Sequence, residues 1–135
     1  MPGYFTDFAN GKLLDKVFGG VSYSPPATLY IGLSQIPANK QGSVNEPAGG
    51  GYARVAVTNN LTNFPAASTG TKANAGTITF PAPTGSWGTL LALFVSDAAS
   101  GGNTLAIADL TTSKTINAGG AAATVAAGAL FLSHT

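Results

Sequence analysis

The stretch Thr77–Leu110, TITFPAPTGSWGTLLALFVSDAASGGNTLAIADL, constrains the fold of this chain more than any other. Its apolar runs are cut apart by PAPTGSWG and DAASGG. Short runs rich in Thr, Ile, Phe, Leu and Val between clusters of Gly, Pro, Ser and Asp are strands joined by turns. Branched and aromatic side chains pack well on a pleated surface, and the flanking residues favour reversals. Strands are expected at Ala75–Pro81, Thr89–Ser96 and Thr104–Leu110. Leu90 through Val95 are apolar without alternation, so the middle strand should be covered on both faces and lie centrally. The paired glycines of AASGGN at 98–103 tolerate positive φ and allow the second and third strands to form a hairpin. Trp87, the only tryptophan, stands at the turn into the apolar run, where its ring is expected to cover one end of the core. The competing role is an exposed contact.

Elsewhere the spacing predicts one helix and several more strands. Tyr4–Phe18 is the helix, with Thr6 or Asp7 as cap, Phe5/Phe8, Ala9/Leu13 and Leu14/Phe18 three or four residues apart, and Gly19-Gly20 as a stop. It is either an arm that docks on a partner or a lid over the open end of a strand-built body. Pro25-Pro26 then forces an extended chain. Strands follow at Ala27–Gln35 and Tyr52–Asn59, and late ones at Lys114–Asn117 and Ala122–Leu132, with a bulge or close approach at Gly128. Ile36–Gly51 is a sixteen-residue loop, long enough to be expected in an interaction, and Asn60–Asn74 is a second long polar loop. Seven or eight short strands and one N-terminal helix predict an all-β chain: a single β-sandwich domain over 1–135, jelly-roll-like or immunoglobulin-like, with a helical arm at about 4–18.

Composition narrows the function. Only 8% of the 135 residues are charged, and the formal net charge is +1. Ordinary soluble domains carry about 25%. Lys12, Lys16, Lys40, Arg54, Lys72 and Lys114 are scattered rather than clustered, which argues against a nucleic-acid partner. A surface so poor in charge fits a protein covered by neighbours in an assembly. No apolar run reaches the about 20 residues of a membrane-spanning helix; the most apolar late segment, Gly119–Leu132, is dominated by Ala and Gly.

Catalysis needs convergent titratable groups, and the chain offers five carboxylates, one histidine and no cysteine. His134 stands next to the last residue, and Asp97 and Asp109 end apolar runs where aspartates make turns. No nucleophile, zinc, phosphate or dinucleotide fingerprint is present, so no catalytic, metal or cofactor residue is assigned and a non-enzyme is expected. Arg54, the only arginine, can clamp Glu46 or Asp97 bidentately, although a solvated arginine on an outer face is the simpler expectation.

The segments FANGKLLDKVFGGVSYSPPATLYIGL, GGGYARVAV and ITFPAPTGSWGTLLALFVSDAASGGNTLAIADLTTSKTINAG carry a resemblance from about Phe8 to Leu132. They resemble small bacteriophage virion structural proteins of the tail-fibre type, and similar small β-sandwiches occur as capsid cement or decoration proteins. The resemblance implies a virion protein. Between shell and fibre, the absence of a heptad helix or elongated repeat favours a cement protein that bridges major capsid subunits, with self-association expected. The alternative is a tail-fibre or receptor-binding module that contacts tail components or a host surface glycan. Candidate interaction residues are Phe5, Phe8, Leu14, Phe18, Val44, Glu46, Tyr52, Arg54 and Trp87.

Overall fold

Around the apolar run the architecture assembles as a curled sheet, seen in a computed structural model that describes residues 1–133. His134 therefore lies outside the described residues. In chain order the elements are β1 (Pro2–Phe5), α1 (Asp7–Gly19), β2 (Thr28–Ser34), β3 (Val55–Thr58), β4 (Thr71–Ala73) and β5 (Ile78–Thr79). β6 (Gly88–Ser96), β7 (Thr104–Ile116), β8 (Thr124–Val125) and β9 (Phe131–Ser133) follow. A seven-stranded sheet runs β3-β2-β6-β7-β1-β9-β4, and β5 pairs with β8 in a separate two-stranded sheet. All pairings are antiparallel except that of β1 with β9.

β6 lies between β2 and β7, and both its faces are covered, as its unalternating run requires. Leu93 and Val95 join the main core with Ile31, Leu33, Trp87 and Leu90, while Ala92 and Phe94 pack on the other side with Ile107, Tyr4, Ala38 and Val44. The long loop after β2 supplies that second cover. Its first half is tied down: Ala38 N–H donates to Asp109 Oδ1 at 2.8 Å, Asp7 N–H to the Lys40 carbonyl at 2.8 Å, and Thr104 Oγ1 to the Gly42 carbonyl at 2.9 Å.

The expected sandwich of two comparable sheets is not formed. The large mixed sheet curls into a half-barrel, and the second sheet has two residues in each strand. β5 is confined by Asn74–Gly76 and by Pro81 and Pro83, and β8 by Gly119-Gly120 and Gly128, so neither can lengthen into a facing layer. Bulges bend the large sheet instead. Between the pairs Leu90↔Lys114 and Ala92↔Asp109, β6 advances two residues and β7 five; a second shift separates Val95 from Ser96. Ile78, Phe80 and Val125 of the small sheet and its flanks then fill the hollow.

Several elements differ from expectation: β3 and β5 are shorter than the strands expected at Tyr52–Asn59 and Ala75–Pro81, and β4 forms within Asn60–Asn74, expected to be a loop, because it pairs with β9. Tyr4 and Phe5 are strand, not helix, because Thr6 is the N-cap: its side chain faces the Ala9 N–H at 3.5 Å and donates to the Thr104 carbonyl at 2.5 Å, holding the junction against β7. The expected strands Thr104–Leu110 and Lys114–Asn117 are one strand, β7, carrying the bulge between them. Ala122–Leu132 is split into β8 and β9 at a turn where Gly128 has φ 75°. Buried Asn74 builds that turn: its backbone carbonyl accepts from Gly128 N–H at 2.7 Å, its Nδ2 donates to Ala126 O at 3.0 Å, and its Oδ1 accepts from Leu130 N–H at 3.0 Å.

Candidate interaction surface

Four of the candidate residues converge on one buried network beneath the long loop. Arg54 forks onto Glu46, with Nε to Oε1 and Nη2 to Oε2 both at 2.9 Å, and only 5% of the arginine side chain is exposed. Its remaining nitrogen, Nη1, donates to the carbonyls of Ala98 at 2.6 Å and Gly101 at 3.0 Å, and the guanidinium lies 5.0 Å from the centre of the Phe94 ring. The expectation of a solvated arginine is thus corrected. Glu46, on the loop, is the anion that makes burial tolerable, and Asp97 is instead committed to Asn103 through its backbone and side-chain amides at 2.8 and 3.1 Å.

Tyr52 extends the network. Its hydroxyl donates to Glu46 Oε1 at 2.7 Å and accepts from the Leu33 N–H at 3.0 Å. Its ring meets Trp87 edge to face at 5.3 Å. Trp87 is 1% exposed, and its Nε1 donates to the Gly50 carbonyl at 2.8 Å. Gly50 has φ 62°, and an added Cβ there would lie 3.1 Å from the indole and 3.0 Å from the Gly85 carbonyl, so glycine is required for the approach. Burial pushes the Glu46 carboxyl up, but hydrogen bonds from Arg54 and Tyr52 and the Arg54 charge more than offset this and hold it below its ordinary value. Burial first, and then the bond to Glu46, raises the Tyr52 phenol. These groups are fully engaged with one another. Their chemistry is that of a strap fastening the loop to β2, β3 and β6.

The remaining candidates lie nearer the surface. Phe5 and Phe8 are half-buried, with Lys12 Nζ 5.5 Å from the Phe8 ring centre, and Val44 packs against the outer face of β6. Leu14 and Phe18 are 49% and 83% exposed. Two neighbours passed over in the sequence share their exposure, Val17 at 60% and Val21 at 54%. Positions 14, 17, 18 and 21 have the i, i+3, i+4, i+7 spacing in sequence, and that spacing was the available signal, although Phe18 departs from helical angles and Val21 lies past the helix end. α1 thus turns an apolar edge to solvent, up to its left-handed cap at Gly20. Among the described residues, no three of Asp, Glu, His and Cys gather closely enough to hold a metal ion. No described helix is long and apolar enough to cross a membrane.

No curated protein matches the chain. The model of one protein family, described as podophage GP4 fiber I protein gp80, matches residues 4–133. This reverses the architectural preference for the shell. Neither a capsid decoration role nor a major capsid protein partner is supported, and the partners implied are those of tail and fibre. With nearly its whole length matched, the chain belongs to the podophage GP4 fiber I protein gp80 family of phage tail-fibre proteins and is a component of the virion.

Proposed function

We propose that this protein is a non-enzymatic tail-fibre component that docks on a neighbouring protein of the fibre through the apolar edge of α1. The observation that carries this reading is the exposure of Leu14, Val17 and Phe18 on a helix none of whose residues is fully buried, with Val21 exposed just beyond its cap. Contiguous apolar side chains left in water are unfavourable, at about 25 cal/mol for each Å² that a partner could cover. A helix laid against a partner surface is anchored by residues at this spacing. The partner belongs to the tail because the family does.

The test is incorporation of Phe18→Asp and Val17→Asp variants into particles, measured by immunoblot of purified virions. Both positions are more than half exposed, so melting temperature should change little. Incorporation is expected to fall by about tenfold or more, because a buried charge would sit at the centre of the contact. Full incorporation of both variants would refute docking through this edge.

A further inference from the structure

Beside α1 a groove of about 410 Å³ separates the helix from the sheet. Phe5, Leu13, Leu29 and Leu105 give it an apolar floor, and Lys16 of α1 and Lys72 of β4 are the two charged residues that line it. No Asp or Glu lines it. Among the described residues neither lysine forms an ion pair; Lys16 Nζ donates to the Tyr23 carbonyl at 3.4 Å and Lys72 Nζ to the Phe64 carbonyl at 3.0 Å. Each ammonium has three protons, so both keep donor capacity for an incoming anion. The field of Asp97 reaches the Tyr23 phenol, yet that carboxylate is already held by Asn103.

We infer that this groove takes an extended peptide segment of a neighbouring fibre protein, one that carries carboxylates next to an apolar side chain. The inference rests on the fibre-docking reading above and adds the chemistry of the partner. Charge complementarity sets the anions: in a chain with so few charges, two unpaired lysines beside one apolar groove form a local positive field, screened only over about 8–10 Å at ordinary salt. The floor selects peptide over sugar. A glycan needs many polar side chains to meet its hydroxyls, whereas those lining the groove, besides the lysines, are Tyr23 and Asn59 alone, and the Asn59 Nδ2 already donates to the Pro26 carbonyl at 2.9 Å. Leucine and phenylalanine walls instead suit an aliphatic or aromatic anchor.

The probe is a particle assembled without this chain, to which purified full-length protein is added back. Attachment of the wild type should weaken several-fold as salt rises from about 0.1 to about 0.5 M. Lys16→Glu/Lys72→Glu should attach at least about tenfold less, and Lys16→Gln/Lys72→Gln by an intermediate amount, with melting temperatures near the wild type. Lys114→Glu, at the far end of β7, should attach normally. Salt-independent attachment unaffected by charge reversal would overturn the proposal. Normal attachment with lost adsorption to host cells would also overturn it, assigning the groove to an anionic surface glycan. Loss in Phe18→Asp alone would leave the α1 edge standing and remove the groove; loss in the lysine variants alone would do the reverse.

Discussion

Replacing Trp87 by alanine should destabilise the isolated protein by about 3–5 kcal/mol, read from the denaturation midpoint, because the mutation empties a core position and removes the indole bond to the Gly50 carbonyl, which keeps only the N–H groups of Thr84 and Gly85. An unchanged midpoint would mean that the indole faces a partner. Glu46 has a pH signature. Its carboxyl is held below the ordinary value, so its contribution is complete above the usual carboxylate pKa of about 4.3 and is lost as pH falls through the lower folded value. Glu46→Ala should cost about 2–3 kcal/mol at neutral pH, less than the about 3–5 for a fully buried pair because 25% of the Glu46 side chain meets water. The gap between wild type and variant should begin to narrow in melts below about pH 4.3 and go on narrowing as the carboxyl protonates in the folded protein. At this scale the sequence was partly legible. Arg54 with Glu46 was one of two pairings open to a lone arginine, but nothing in YARVAVTN told that the guanidinium is buried; that depends on Ala98 and Gly101 from the distant hairpin. Asn74 gave no sign of its role, since a turn-building asparagine looks like any other in a polar loop.

Among the elements, β1 decides what the N-terminal region is. It lies between β7 and β9, so deleting Met1–Phe18 removes an interior strand together with the helix. That deletion should abolish folding, seen as loss of a cooperative melt, whereas a detachable arm would leave the transition in place. Helix and strand were confused at Tyr4 and Phe5 because two aromatic residues ahead of a capping threonine satisfy either period. β6, the hairpin and β2 were legible because their apolar runs are long and bounded by turn residues. β4, with only Thr71, Lys72 and Ala73, carries no pattern at all; its pairing with β9 makes it a strand. The bulge in β7 hid its continuity in the same way, as LTTSK interrupts an apolar run without interrupting the hydrogen-bonded ladder.

For the molecule as a whole, strand count gave the class, a mostly β chain, and the resemblance gave the virion, while the distribution of strands between sheets was not legible. Whether short strands stack as two layers or join one curled sheet depends on bulges and cross-chain pairings that leave no local mark. Shell against fibre was misjudged for a related reason: absence of a heptad or repeat says how a chain does not trimerise, not which part of the virion it joins. The placement of β1 has one more consequence, which concerns time. Residues 2–5 are synthesised first, but the neighbour of β1 on one side is residues 131–133. At about 5–20 residues per second, that strand waits on the order of ten seconds for its partner. α1 can form within microseconds meanwhile. A chain arrested before residue 131 therefore leaves β1 open on one side and β4 with no sheet to join, so the curled sheet is completed only once β9 has been made.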